Sequence, residues 1–153
     1  MERIIDAVPT EDIIKELTEE RFVRKTNFGH NEIYIVNAHN APNTMREIGR
    51  LREWAFRESG GGTGKSIDID EFDTRDEAYF EQLIVWDPKE KEILGGYRFI
   101  NCDKLKKKNN GQVDTPTSEL FYYSDEFIDN YLPYTIELGR SFIQPKYQST
   151  GNV

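Results

Sequence analysis

The chain has a single cysteine, two histidines and no apolar run near the ~18 residues that a membrane-spanning helix needs. A lone Cys102 excludes an internal disulfide and a cysteine-based zinc site, and it fits an inert, half-buried thiol in a reducing compartment. His30 and His39 lie far in sequence from every acidic motif, which gives a catalytic histidine little support. Positive charge is also short. Twenty Lys and Arg against 28 Asp and Glu leave a formal net charge of −8, which argues against general nucleic-acid binding. Glu2 and Asp6 stand near the start with no apolar stretch behind a basic segment, so no signal peptide is read and a cytoplasmic location is expected.

What is present describes an ordinary globular chain. Its 153 residues suit one domain with a real core, and 37% hydrophobic with 31% charged residues excludes a disordered composition. Thr10 is placed to cap a first helix to about residue 20, with Ile13, Ile14 and Leu17 as its apolar stripe. Residues 32–37 form a short β-rich segment. Thr44 opens the clearest helix, in which Met45, Ile48, Leu51 and Ala55 recur at helical spacing and Glu53 pairs with Arg57 on the outer side. A glycine run at 60–64 ends it. Two strands, 79–86 and 92–101, flank Asp87-Pro88-Lys89-Glu90-Lys91 as an antiparallel hairpin. A polar loop at 104–111, one short helix within 118–132 and a strand over 134–144 complete the order α, β, α, β, β, α, β. Residues 1–43 read as an N-terminal extension of helix and strand, and 44–153 as the start of a mixed α/β domain.

Two motifs invite misreading. Ser59-Gly60-Gly61-Gly62-Thr63-Gly64-Lys65-Ser66 looks like a phosphate-binding P-loop, but Ser59 holds the first glycine position and the loop follows a helix rather than a strand. A flexible glycine loop is the better reading. Asp68, Asp70 and Asp73 suggest calcium, yet Phe72 replaces the third ligand and Asp73 stands in the glycine position. A solvated acidic turn is expected there, and no metal site.

The informative segment is Glu137-Leu138-Gly139-Arg140, a carboxylate, a glycine and an arginine inside an otherwise apolar strand. Buried charge is costly unless paired, and glycine in a strand often marks a bulge. Arg52, Asp70, Asp73 and Arg98 are further charges at marked places, able to satisfy one another by bidentate pairing. On a regular pleat Glu137 and Arg140 would face opposite sides. They share a pocket only if the strand is bulged, and Gly139 is the residue expected to permit it.

Arg52-x-x-x-Phe56, Asp70-Glu71-Phe72-Asp73, Gly95-Gly96-Tyr97-Arg98-Phe99 and Glu137-Leu138-Gly139-Arg140 keep the order seen in the GNAT-like N-acyltransferases, which residues 44–151 resemble. The branch that matches best makes N-acyl amino acids and aminolipids such as ornithine and glycine lipids; some members are labelled hemolysin-related, and acyl-homoserine-lactone synthases look like distant cousins. The resemblance implies a GNAT-like fold, with a central, mostly antiparallel sheet flanked by helices. It implies a fatty acyl group passed from a carrier thioester, acyl carrier protein or CoA, to an amino acid's amine, with no permanently bound cofactor. In that reading Glu137 is the base. Asp70 and Asp73 hold the amine or orient the arginines. Arg52, Arg98 and Arg140 fix those carboxylates, one of them holding the acceptor's carboxylate. Phe56 lies with the substrate, and an amide beside Gly139 stabilises the oxyanion.

In the wider family Gln/Arg-x-x-Gly-x-Gly/Ala binds the donor's pyrophosphate or pantetheine at a helix start. Gln148 and Gly151 match it and Val153 does not. A fragment of a longer domain is therefore expected, with an exposed sheet edge that invites dimerisation. Lys104, Lys106, Lys107 and Lys108 offer a docking spot for an acidic carrier protein, and peripheral contact with the inner membrane face suits a lipid-making enzyme. The rival reading is a truncated or degenerate domain that binds lipid or a protein partner without catalysis; a nucleotide binder ranks below both.

Overall fold

The computed structural model describes residues 1–148. Ten elements run in the order α1 (Thr10–Glu16), β1 (Phe22–Lys25), β2 (Glu32–Val36), α2 (Pro42–Glu58), α3 (Glu71–Thr74), β3 (Glu81–Asp87), β4 (Glu92–Asn101), α4 (Pro116–Leu120), α5 (Asp125–Asn130) and β5 (Ile136–Ile143). The five strands form one sheet in sequence order, every neighbouring pair antiparallel. This is the mixed α/β arrangement, an antiparallel sheet flanked by helices, that the resemblance implies. The expected extension over 1–43 contributes β1 and β2 to the same sheet.

α2 packs across the sheet because its apolar positions repeat every three to four residues. Met45, Ile48, Leu51 and Ala55 meet Tyr34, Val36, Ile84, Trp86 and Ile93 in one buried cluster. A second cluster gathers Phe72, Phe80, Ile100, Val113, Ile128 and Leu132. Side chains two apart on a strand share a face. Gln82 therefore lies between Phe80 and Ile84, and Arg98 shares its face with Ile100, so a buried polar layer divides the two clusters. The opposite sheet face is apolar as well, with Leu83, Val85, Leu94, Tyr97, Ile143 and Tyr147 lining a shallow groove of about 350 Å³.

Several local expectations are corrected. α1 stops at Glu16 and starts after Pro9 without a side-chain cap. α2 begins at Pro42, whose missing N–H costs nothing in a first turn. Its start is capped from outside: the Glu16 carboxylate accepts from the Asn43 and Thr44 amides at 3.0 and 2.7 Å. The helix expected within 118–132 is two short ones, because Phe121 to Ser124 turn extended between them. Among the described residues no helix is long and apolar enough to cross a membrane.

Candidate active site

β5 is bulged. Arg98 faces Gly139 and Gly96 faces Phe142, so Arg140 and Ser141 together oppose Tyr97. Arg140 takes the left-handed backbone, with φ +52°. Gly139 does not, and a side chain there would meet Arg98 Nε at an ordinary 3.7 Å. The bulge thus falls where the motif placed it, but the conformational burden rests on the arginine rather than the glycine. Its effect is that Glu137 and Arg140 line one cleft of about 330 Å³, together with Asp70, Arg98, Thr117 and Phe121.

Three arginines and three aspartates balance beside and beneath that cleft. Arg52 is fully buried, with Nη1 3.3 and 3.2 Å from the two Asp73 oxygens and Nη2 donating to Gln82 Oε1. Gln82 Nε2 in turn donates to Asp73 at 2.9 Å. Arg98 donates to Asp70 at 2.7 Å and stands 3.2 Å from Asp73. Arg140 reaches Asp68 at 3.4 Å and Asp70 at 3.6 Å. Asp70 also caps α3, accepting from the Phe72 amide, while Asp73 accepts from the Asp70 amide. Burial pushes the Asp68 carboxyl above its ordinary range against the pull of Arg140 and Arg52. At Asp70 burial acts the same way, but the Arg98 hydrogen bond and the charges of Arg98 and Arg140 outweigh it and hold the carboxyl low.

The three aspartates are therefore not a solvated turn. Asp73 is fully buried and Asp68 nearly so, because each meets an arginine. Among the described residues no group of acids, histidines and cysteine is placed to hold a metal ion. Three members of the site escaped the sequence reading. Asp68 was set aside with the acidic turn. Gln82 signalled itself as a polar residue in phase with the apolar Ile84 and Trp86. Thr117 gave no signal at all.

Glu137 differs from the aspartates in having no arginine partner among the described residues. Its Oε1 accepts from the Thr117 amide at 3.1 Å and from the Thr117 hydroxyl at 2.8 Å. Thr117 sits in the first turn of α4, held there by the Thr115–Ser118 capping box. A carboxylate oriented by two donors, lining an open cleft and free of a fixed cation, is suited to accept a proton.

Phe56 does not join this cleft. It lines a second groove, of about 290 Å³, with Ser141, Phe142 and Gln148 on the far side of the bulge. Gln148 donates to the Ile143 carbonyl at 2.8 Å. Gly151 lies outside the described residues. Lys106, Lys107 and Lys108 pair with Glu77, Asp129 and Asp114, which leaves Lys104 as the one lysine of the run without an ion pair among the described residues. His39 packs at a tilt against Tyr79 and contacts the Arg75 carbonyl, on residues that do not line the cleft.

The glycine loop is tied down rather than flexible. Glu53, expected on the outer side of α2, is fully buried and accepts from the Thr63 amide at 3.0 Å, the Thr63 hydroxyl at 2.6 Å and the Gly64 amide at 2.8 Å. Arg57 adds a 2.6 Å bond. A protein carboxylate thus holds the turn from within. Burial alone would raise that carboxyl, but the Thr63, Arg57 and Gly64 hydrogen bonds prevail and hold it below its ordinary 4.5. A depressed folded-state value means the stabilisation is complete above the unfolded value and is lost as pH falls through the folded one. Glu53→Gln is accordingly expected to cost about 2 kcal/mol at pH 7 and to flatten the loss of stability below pH 4.5. Urea unfolding from pH 7 to pH 3 checks this; parallel curves for both proteins would rule it out.

The Acetyltransferase (GNAT) domain family matches residues 51–153, a span that holds every charged residue of the cleft. The chain belongs to this GNAT family. More specifically, it is 55% identical over 150 residues to the glycine N(alpha)-acyltransferase of Bacteroides thetaiotaomicron, covering 98% of this chain and 44% of that protein. It is 49% identical over 150 residues to the glycine N(alpha)-acyltransferase of Phocaeicola vulgatus, covering 98% of this chain and 46% of the relative. The chain thus spans less than half the length of these curated relatives. No solved structure matches it significantly.

Proposed function

We propose that this domain transfers a fatty acyl group from a thioester, on acyl carrier protein or CoA, to the amine of an amino acid, glycine foremost, in aminolipid synthesis. One observation carries the reading: the bulge brings Glu137 into a cleft whose other buried charges already cancel. The names of the relatives support glycine as the acceptor.

Glu137 takes one proton from the acceptor's ammonium, since only the neutral amine can attack. The nitrogen bonds to the thioester carbon, and the carbonyl oxygen becomes an oxyanion facing the amide that the bulge frees beside Arg140 and Ser141. Collapse breaks the C–S bond, and a second nitrogen proton goes to the thiolate. The products are an amide, a thiol and one proton returned to solvent. The donor enters along the groove of Phe56, Ser141 and Gln148, across the bulge from the acceptor. Carrier docking centres on Lys104, which has no ion pair among the described residues, and any membrane contact is peripheral.

The test incubates the full-length protein with acyl carrier thioester or acyl-CoA and each amino acid, followed by mass analysis. N-acylglycine is expected. Thioester binding without any N-acyl product would favour the non-catalytic rival.

A further inference from the structure

The three arginines of the cleft are not equally committed. Arg52 is enclosed, and both of its Nη atoms are bound to Asp73 and Gln82. Arg98 is 3% exposed and holds Asp70 at 2.7 Å. The Arg140 side chain is 37% exposed, and its nearest carboxylate contacts, 3.4 and 3.6 Å, exceed the ~2.7–3.2 Å of an N–H···O bond. All three arginines leave a buried Nε without a hydrogen-bond partner, but only that of Arg140 faces a carboxylate oxygen in the same state, on Asp68.

Charge balance says what such a fork awaits. Glu137, like the exposed Glu119 of α4, is a cleft anion with no ion pair among the described residues, and Arg140 is the loosely held cation on the same strand as Glu137. A guest that brings an ammonium to the first and a carboxylate to the second leaves the balance unchanged. An α-amino acid carries those groups on one carbon, and the bulge is what puts Glu137 and Arg140 on one side of the strand. Arginine's planar fork also matches a carboxylate with two parallel bonds.

We propose that Arg140 is the subsite for the acceptor's α-carboxylate, and that Asp68 and Asp70 position its guanidinium for that contact. The assignment rests on the N-acyltransferase reading. A donor phosphate has similar chemistry, but the acceptor is favoured because Arg140 lines the cleft of Glu137, not the groove of Phe56 and Gln148.

The experiment compares glycine with glycinamide, which keeps the amine and lacks the carboxylate, in the full-length wild type, Arg140→Gln and Arg140→Asn. Asparagine tolerates the left-handed backbone at this position. Both variants are expected to raise KM for glycine on the order of 10- to 100-fold while leaving glycinamide and donor KM within about threefold. Equal losses on both acceptors, or a raised donor KM with glycine KM unchanged, overturn the assignment. If the wild type acylates no amine, the function proposed above fails on its own. The subsite then stands or falls on an NMR titration: glycine binding by wild type, absent in both variants and absent for glycinamide, supports it, and no difference among them overturns it.

Discussion

Replacing Glu137 by Gln is expected to lower kcat for N-acyl transfer by roughly 100- to 10,000-fold, the range that positioned proton transfer supplies. Glutamine keeps an oxygen for the two Thr117 donors, so the group stays where it is and loses only its capacity to accept the proton. Since no arginine is left unpaired by the change, stability should move by less than about 1 kcal/mol. KM for the acceptor should change far less than kcat, because Gln fills the same volume. Steady-state kinetics beside a urea titration tests both halves. A variant that folds normally and retains more than a tenth of wild-type kcat would remove Glu137 from the mechanism.

The second large effect belongs to stability. Asp73→Ala strips acceptors from Arg52, Arg98 and Gln82 at once, and from the Asp70 amide that closes the α3 cap. Breaking a buried ion pair from one side costs about 3–5 kcal/mol, because the partner is left as an uncompensated charge. Against a typical total of about 5–15 kcal/mol, this threatens the folded state itself. Asp73→Asn should be nearly as harmful, since it keeps the shape and removes the charge. Urea midpoints for both variants provide the check; a loss below about 1 kcal/mol would mean that water reaches the pair.

Parts of this arrangement were legible in the chain and parts were not, for physical reasons. β4 was read with its observed bounds, since its ten residues are rich in apolar and aromatic side chains and a turn rich in Asp, Pro and Lys precedes it. The bulge was legible too, because Glu137 and Arg140 cannot share a side on a regular pleat. Which residue bends was not, since Arg140 is held at positive φ by its tertiary surroundings, and glycine is the better prior. β1 was missed because its four residues are all exposed and carry no apolar alternation. α3 is a single turn, too short for any period to register. Asp68 and Thr117 reach the site only through folding, Asp68 from the segment before α3 and Thr117 from α4, far in sequence from the residues they touch. The charge-paired motif announced itself; its supports did not.

One consequence follows from the neutral layer under the cleft. Arg52, Arg98 and Asp73, the deeply buried ions of that layer, cannot be exchanged one at a time without stranding a partner. Evolution or an engineer seeking a different guest is therefore steered away from the floor and toward the lip, at Leu120 and Phe121, which are exposed and answer to no ionic partner.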